Sequence, residues 1–203
     1  MKRIAIDIDQ PDPEVLAEIA AWFREGSTVA YPSDTVYGLG CAYRASRAVD
    51  RIYQLKGRDS GNPLLLLASN PSEALELSGN VTPAAIRLAD RYWPGPLTLI
   101  LHAAPHVPPE LIGPLGTVAV RCPGPEYLRQ LIAHVGQPIT STSANYTGGL
   151  HALDADAVVS AFPNGIDLLV DGGMSRDHQP TTIVNVLGEP EIVRQGTLEV
   201  DWA

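Results

Sequence analysis

Long apolar runs are missing from this 203-residue chain. None reaches the roughly 18 residues that a membrane span needs. At the start, Lys2-Arg3 leads into acidic residues and not into an apolar segment of signal-peptide length. The reading is therefore a cytoplasmic protein with no membrane partner. Cysteine is scarce. Cys41 and Cys122 are two isolated thiols, which supply neither a disulfide framework nor a zinc site. Basic residues are few as well: 14 Lys plus Arg against 23 Asp plus Glu leave a net charge of −9. A broad nucleic-acid face needs clustered cations on phosphates, so the charge argues against one. A local basic pocket is still allowed, and with so few cations the places where they gather carry information.

Familiar chemical motifs are missing too. There is no Gly-x4-Gly-Lys-Ser/Thr loop and no Gly-x-Ser-x-Gly elbow. Gly38-Leu39-Gly40 is not the start of a dinucleotide fingerprint, because the third glycine position is Tyr43. Of the five histidines, His102 and His106 are four apart but straddle Pro105, so they do not share a helix face. No protein-ligated metal is expected.

What is present is a strong structural pattern. Apolar residues make up 45% of the chain, enough for a sizeable core. "RIAIDID" alternates as a strand does, and "DPEVLAEIAAWFREG" reads as a helix with Asp12 as its cap and Pro13 at its first position. Further strands are read in "STVAYP", "NPLLLLAS", "LTLILHA", "GTVAVRCP", "ITSTS" and "IDLLVD". "NPLLLLAS" is a continuous apolar run, consistent with burial on both faces. Helices are read in "SRAVDRIYQLKGR", "PSEALELSG", "TPAAIRLADRYW", "PEYLRQLIAHVGQP" and "DADAVVSAFPNG". "TTIVNVLGEPEIVRQG" reads as a hairpin. The alternation predicts an α/β fold with a twisted sheet of mixed parallel and antiparallel strands flanked by helices. Without an internal repeat or a linker, residues 1–203 are read as one domain.

Several strand ends carry hydroxyls, amides and cations. "VAYPSDTVYGLG" runs from an apolar strand into a loop of small polar residues and glycines. Lys56 and Arg58 end a helix, where a cation complements the helix dipole. Asn62-Pro63 then leads straight into a buried strand, which puts both cations at the rim of the core, where they can grip phosphate. "TSTSAN" places Ser141 and Ser143 on one strand face and Thr140 and Thr142 on the other, and runs into Asn145. "TVAVRCP" aligns Thr117, Ala119 and Arg121 on one face. An arginine at the end of an apolar strand needs a partner, and an anionic ligand is one candidate. Thr181, Thr182 and Arg194 add more donors. These groups include no obvious nucleophile and no base. They suit an enzyme that works by positioning and phosphate electrostatics, and equally a plain nucleotide-binding module.

The segments "YPSDTVYGLG", "KGR…NPL", "WPGPLTLIL", "TVAVRCP", "STSAN" and "DGG…TTIVN…IVRQG" resemble, in order and spacing, the motifs of the YrdC-like family, the threonylcarbamoyl-AMP synthases. The match spans about residues 12–197 and is similar to the short, single-domain type. The resemblance implies a YrdC-like fold with a concave ligand pocket. It implies a nucleotidyltransferase that converts L-threonine, bicarbonate or CO2, and ATP into threonylcarbamoyl-AMP and pyrophosphate. Mg2+ would be held through the ATP phosphates. Downstream threonylcarbamoyl-transfer proteins would then modify tRNA, which this chain would meet only indirectly.

By position, the resemblance assigns Thr35, Arg121, Ser141 and Thr181 to threonine. It assigns Lys56, Arg58, Asn62, Thr117, Ser143, Asn145 and Arg194 to ATP, with Lys56 and Arg58 as the catalytic phosphate-gripping pair. The chain departs from the family pattern at Asp59, where proline is usual, and at Leu67, where many members have histidine. It departs again at His151, where a serine would stand, and mildly at Ser33 and Asp34, which replace Thr and Glu. The first three departures keep open a sibling of the YciO branch with a different substrate. An RNA-binding module is the other alternative.

Overall fold

The computed structural model describes residues 1–57, 62–175 and 180–202. Eleven strands and six α-helices alternate along them: β1 (Lys2–Ala5), α1 (Pro13–Arg24), β2 (Val29–Tyr31), β3 (Gly38–Gly40), α2 (Ser46–Lys56), β4 (Leu65–Leu67) and α3 (Pro71–Glu76). They continue with β5 (Ser78–Asn80), α4 (Pro83–Tyr92), β6 (Leu97–Ala103), β7 (Thr117–Arg121), α5 (Glu126–Val135) and β8 (Ile139–Ser143). The chain closes with α6 (Ala155–Ala161), β9 (Leu168–Asp171), β10 (Thr182–Asn185) and β11 (Glu191–Arg194).

Local chemistry explains most of these boundaries. The Asp12 carboxylate accepts from the Glu14 amide and starts α1, and Thr82 accepts from Ala85 to start α4. Gly57 and Gly136 end α2 and α5 in the left-handed conformation that glycine adopts without a Cβ penalty.

The strands form one sheet in the order β1-β9-β2-β3-β8-β4-β7-β6-β10-β11, with β5 paired to β6 on the outside. The β1–β9, β2–β9, β4–β7 and β6–β10 pairs are parallel. The β2–β3, β3–β8, β4–β8, β6–β7 and β10–β11 pairs are antiparallel. The mixed sheet expected from the sequence is the one observed, including the terminal hairpin.

Helices cover the sheet, with apolar clusters between them. Leu16, Ile19 and Phe23 of α1 meet Leu128, Leu131 and Ile132 of α5 in one cluster, and residues of α2 and α4 with the Phe162 ring that follows α6 build the other. The β4 run behaves as a strand buried on both faces must: Leu66 belongs to one cluster and Leu67 to the other.

Two short elements differ from the sequence reading. Gly38–Gly40, read as part of a loop, is the fully buried strand β3, wedged between β2 and β8. A Cβ on Gly40 would overlap the Thr140 carbonyl oxygen, and one on Gly38 would lie 2.9 Å from the Tyr31 ring. The glycines therefore give clearance to neighbouring strands. Ser78–Asn80, whose first two residues read as the end of a helix, pairs with β6 instead. Gly79 disfavours another helical turn, and a Cβ there would press on the Ala103 carbonyl oxygen at 2.9 Å.

Both thiols are fully buried and unpaired with each other. Burial pushes the Cys41 thiol up to about 12 and the Cys122 thiol up to about 11. Neither is a nucleophile at neutral pH. No helix among the described residues is long and apolar enough to cross a membrane.

Candidate functional site

A cavity of about 250 Å³ opens over the middle of the sheet, near the lower end of the small-molecule range. Strand alternation decides which residues reach it. In β7, Ala119 and Arg121 face the cavity while Val118 and Val120 enter the core. In β4, Leu65 and Leu67 face the cavity, and in β8 Ser141 and Ser143 do so, with Thr142 beside them. Cross-strand register then sets neighbours. Leu67 lies beside Arg121, Leu65 beside Ser141, and Ile183 bridges Thr98 and Arg194.

Arg121 is buried at 3% exposure, and its guanidinium is firmly held. Nε donates to the Gly95 carbonyl at 2.7 Å, and Nη2 donates to the Asp34 carboxylate. The sequence reading offered an anionic ligand as the partner this cation needs. The fold instead supplies a protein carboxylate, and Arg121 still lines the cavity. The second oxygen of Asp34, Oδ1, is buried without a hydrogen-bond partner.

On the edge strand β11, Arg194 donates from Nε and Nη2 to the Thr181 carbonyl at 3.2 and 2.9 Å, and from Nη2 to the Thr181 hydroxyl at 3.1 Å. Desolvation lowers its pKa from the usual guanidinium value, yet arginine stays charged throughout the working range. Two cations thus share the cavity wall with the apolar side chains of Leu65, Leu67 and Leu128.

The hydroxyls are set with defined polarity. Ser33 Oγ donates its single proton to the Val36 carbonyl at 2.6 Å and accepts from the Thr35 amide at 3.2 Å. Thr35 Oγ1, 3.1 Å away, must then be the donor to Ser33 Oγ. Its free lone pairs make Thr35 an acceptor at the cavity wall. Thr181 and Thr98 share a hydroxyl contact of 3.0 Å. Burial pushes the Tyr37 phenol up to about 12, so it serves as a fixed dipole and not as a base.

Of the eleven residues assigned from the sequence, six line the cavity: Thr35, Arg121, Ser141, Ser143, Thr181 and Arg194. Lys56 does not. Its ammonium lies 2.5 Å from the Ser143 carbonyl and 2.7 Å from the Asn145 carbonyl, because the end of α2 packs against the turn after β8. Asn145 is outside the lining as well; its amide bonds Ser143 and Gly149. Thr117 has its hydroxyl turned to the Pro114 carbonyl at 2.9 Å, and Asn62 also falls outside the lining. Arg58 and Asp59 lie outside the described residues. The departures Leu67 and His151 both line the cavity.

Sequence reasoning missed Thr98 and Leu128. Thr98 had a signal, a lone hydroxyl in the apolar run "LTLIL", while Leu128 looked like any core position of an amphipathic helix. Among the described residues, no group of three His, Cys, Asp or Glu side chains gathers as a metal site.

Two guanidinium groups, a set of oriented hydroxyls and apolar side chains, brought from strands, a loop and α5 to one cavity, mark a protein of the small-ligand-binding class. Comparison with known proteins gives that class a family. The Sua5/YciO/YrdC family model, described as "Telomere recombination", matches residues 21–196, and the chain belongs to this family. It is 37% identical over 200 residues to a threonylcarbamoyl-AMP synthase of Pyrococcus abyssi, covering 98% of this chain and 59% of that one. A synthase of the same name from Thiobacillus denitrificans is 35% identical over 166 residues, covering 82% of this chain and 88% of the relative. The crystal structure of P. abyssi Sua5 complexed with L-threonine superposes with a TM-score of 0.92 at 35% identity, covering 98% of this chain and 58% of that one. The chain thus spans about three fifths of the P. abyssi relative's length.

Proposed function

We propose that this chain is a threonylcarbamoyl-AMP synthase, a nucleotidyltransferase that joins L-threonine, CO2 or bicarbonate, and ATP into threonylcarbamoyl-AMP with release of pyrophosphate. One observation carries the reading. The fold gathers Thr35, Arg121, Ser141, Ser143, Thr181 and Arg194, from distant parts of the chain, around one cavity. The same-named relatives and the threonine-bound neighbour support it.

Arg121, immobilised by Asp34 and Gly95, receives the threonine carboxylate. Thr35, an acceptor by its hydrogen-bond polarity, takes a donor from the amino acid's amine or hydroxyl. Ser141 and Thr181 complete the threonine contacts. Arg194, with Ser143, faces the nucleotide, its charge placed for phosphate. Arg58 is assigned to the phosphates on sequence grounds.

The amine forms an N–C bond to CO2 and loses a proton to solvent. A carbamate oxygen then attacks the α-phosphorus, and the bond to the β-phosphate oxygen breaks. The nucleophile belongs to the substrate, so the chain needs no nucleophile of its own. Its contribution is positioning, charge and exclusion of water from a labile carbamate. Mg2+ would arrive on the ATP phosphates and supply further charge neutralisation there. Delivery to tRNA through separate transfer proteins completes the proposal.

Purified protein should release pyrophosphate only when ATP, threonine and bicarbonate are all present. Pyrophosphate release indifferent to threonine would refute this reading.

A further inference from the structure

Lys56 is a lysine at only 4% exposure, and its ammonium meets one short stretch of chain three times. Its ammonium donates to the carbonyls of Ser143 and Asn145 at 2.5 and 2.7 Å, with Asn145 Oδ1 at 3.4 Å. Asn145 Oδ1 also accepts from the Ser143 hydroxyl at 2.5 Å, and its Nδ2 donates to the Gly149 carbonyl at 2.6 Å. The backbone of the same lysine closes the loop from the other side. Its carbonyl accepts from the Thr147 hydroxyl at 3.0 Å and the Thr147 amide at 3.3 Å. Residues 143 to 147 are thus held at both ends by one residue of α2, and Asn145 extends the hold to Gly149. The stretch they occupy carries Ser143 at its start and leads to His151, and both of these line the cavity.

We propose that Lys56 is a positioning residue. It clamps the end of β8 and the turn that follows, fixing the direction of the Ser143 hydroxyl, and does not grip phosphate. A charged donor on carbonyl oxygens in a dry setting makes strong hydrogen bonds. Moving the ammonium to a phosphate would take its charged donor from the buried Asn145 carbonyl and leave the Ser143 carbonyl with only the Asn145 amide at 2.9 Å. The clamp explains why a lysine fits here: its compact ammonium has three donors, which several separate acceptors can share, whereas a guanidinium fork is flat. This inference rests on the nucleotide reading of the cavity.

The test compares binding of ATP and of AMP by calorimetry. Lys56→Met should weaken both by the same factor, roughly tenfold for loss of a charged hydrogen-bond set. Ser143→Ala added to Lys56→Met should cost nothing further, since the hydroxyl is already misdirected. Thr147→Val, which keeps side-chain shape but removes the donor to Lys56, should reproduce the equal loss on a smaller scale. It also stands in if Lys56→Met does not fold. A loss for ATP tenfold greater than for AMP, or no effect of Thr147→Val, would overturn the proposal. If the wild type binds neither nucleotide, the nucleotide reading has failed. Amide exchange in ligand-free protein then decides this proposal alone. Faster exchange over residues 145–151 in Thr147→Val supports the clamp, and unchanged exchange sinks it.

Discussion

Replacing Asp34 by alanine strands the Arg121 guanidinium. The arginine side chain is 4% exposed and would keep a single neutral acceptor, the Gly95 carbonyl at 2.7 Å. Removing one partner of a buried ion pair costs about 3–5 kcal/mol. Two features lower the figure here. The Asp34 side chain is 22% exposed, so water can replace part of what it gives. Its Oδ1 is buried without a partner, a penalty of about 1–3 kcal/mol that the substitution relieves. About 2 kcal/mol of destabilisation is expected, equivalent to a fall in melting temperature of about 4–8 °C for a chain of this size. Urea unfolding followed by circular dichroism gives the stability. Arg121→Met alone should cost a comparable amount, and the double variant should cost clearly less than the sum, because each single change leaves the other charge unpaired. Single variants within about 0.5 kcal/mol of wild type, or a double variant that is simply additive, would refute the pairing argument. Asp34→Asn, which keeps one acceptor for Nη2, should fall between alanine and wild type.

Other consequences can be checked with simpler measurements. Gly40→Ala should prevent folding or cost several kcal/mol, since its Cβ would overlap the Thr140 carbonyl; a variant with native circular dichroism and an unchanged urea midpoint would contradict this. Native protein should resist iodoacetamide at pH 8 at both Cys41 and Cys122 and react at both in urea, read by mass shift. Burial favours the neutral thiols, so their contribution to stability is fully present below the ordinary thiol value of 9.0 and is lost as pH rises above it; a urea midpoint that rises from pH 8 to 10 would contradict the sign.

Much of the fold was legible in the sequence because its signals are local. A cap acts within three residues, as Asp12 and Thr82 do, and strand alternation needs only the strand itself, as Ala119 and Arg121 show. The family motifs also led to six residues that share a cavity. What the sequence could not decide depends on contacts between distant segments. Asp34 reaches Arg121 across 87 residues, and so does Lys56 to Ser143. A lysine beside an arginine at a helix end looks the same in sequence whether it points to a ligand or into the protein. Only the packing of α2 against the turn after β8 turned Lys56 inward. Gly38–Gly40 teaches the same lesson. Its composition announced close approach, but the tenant of that space, a neighbouring strand and the Tyr31 ring, exists only once the sheet is assembled.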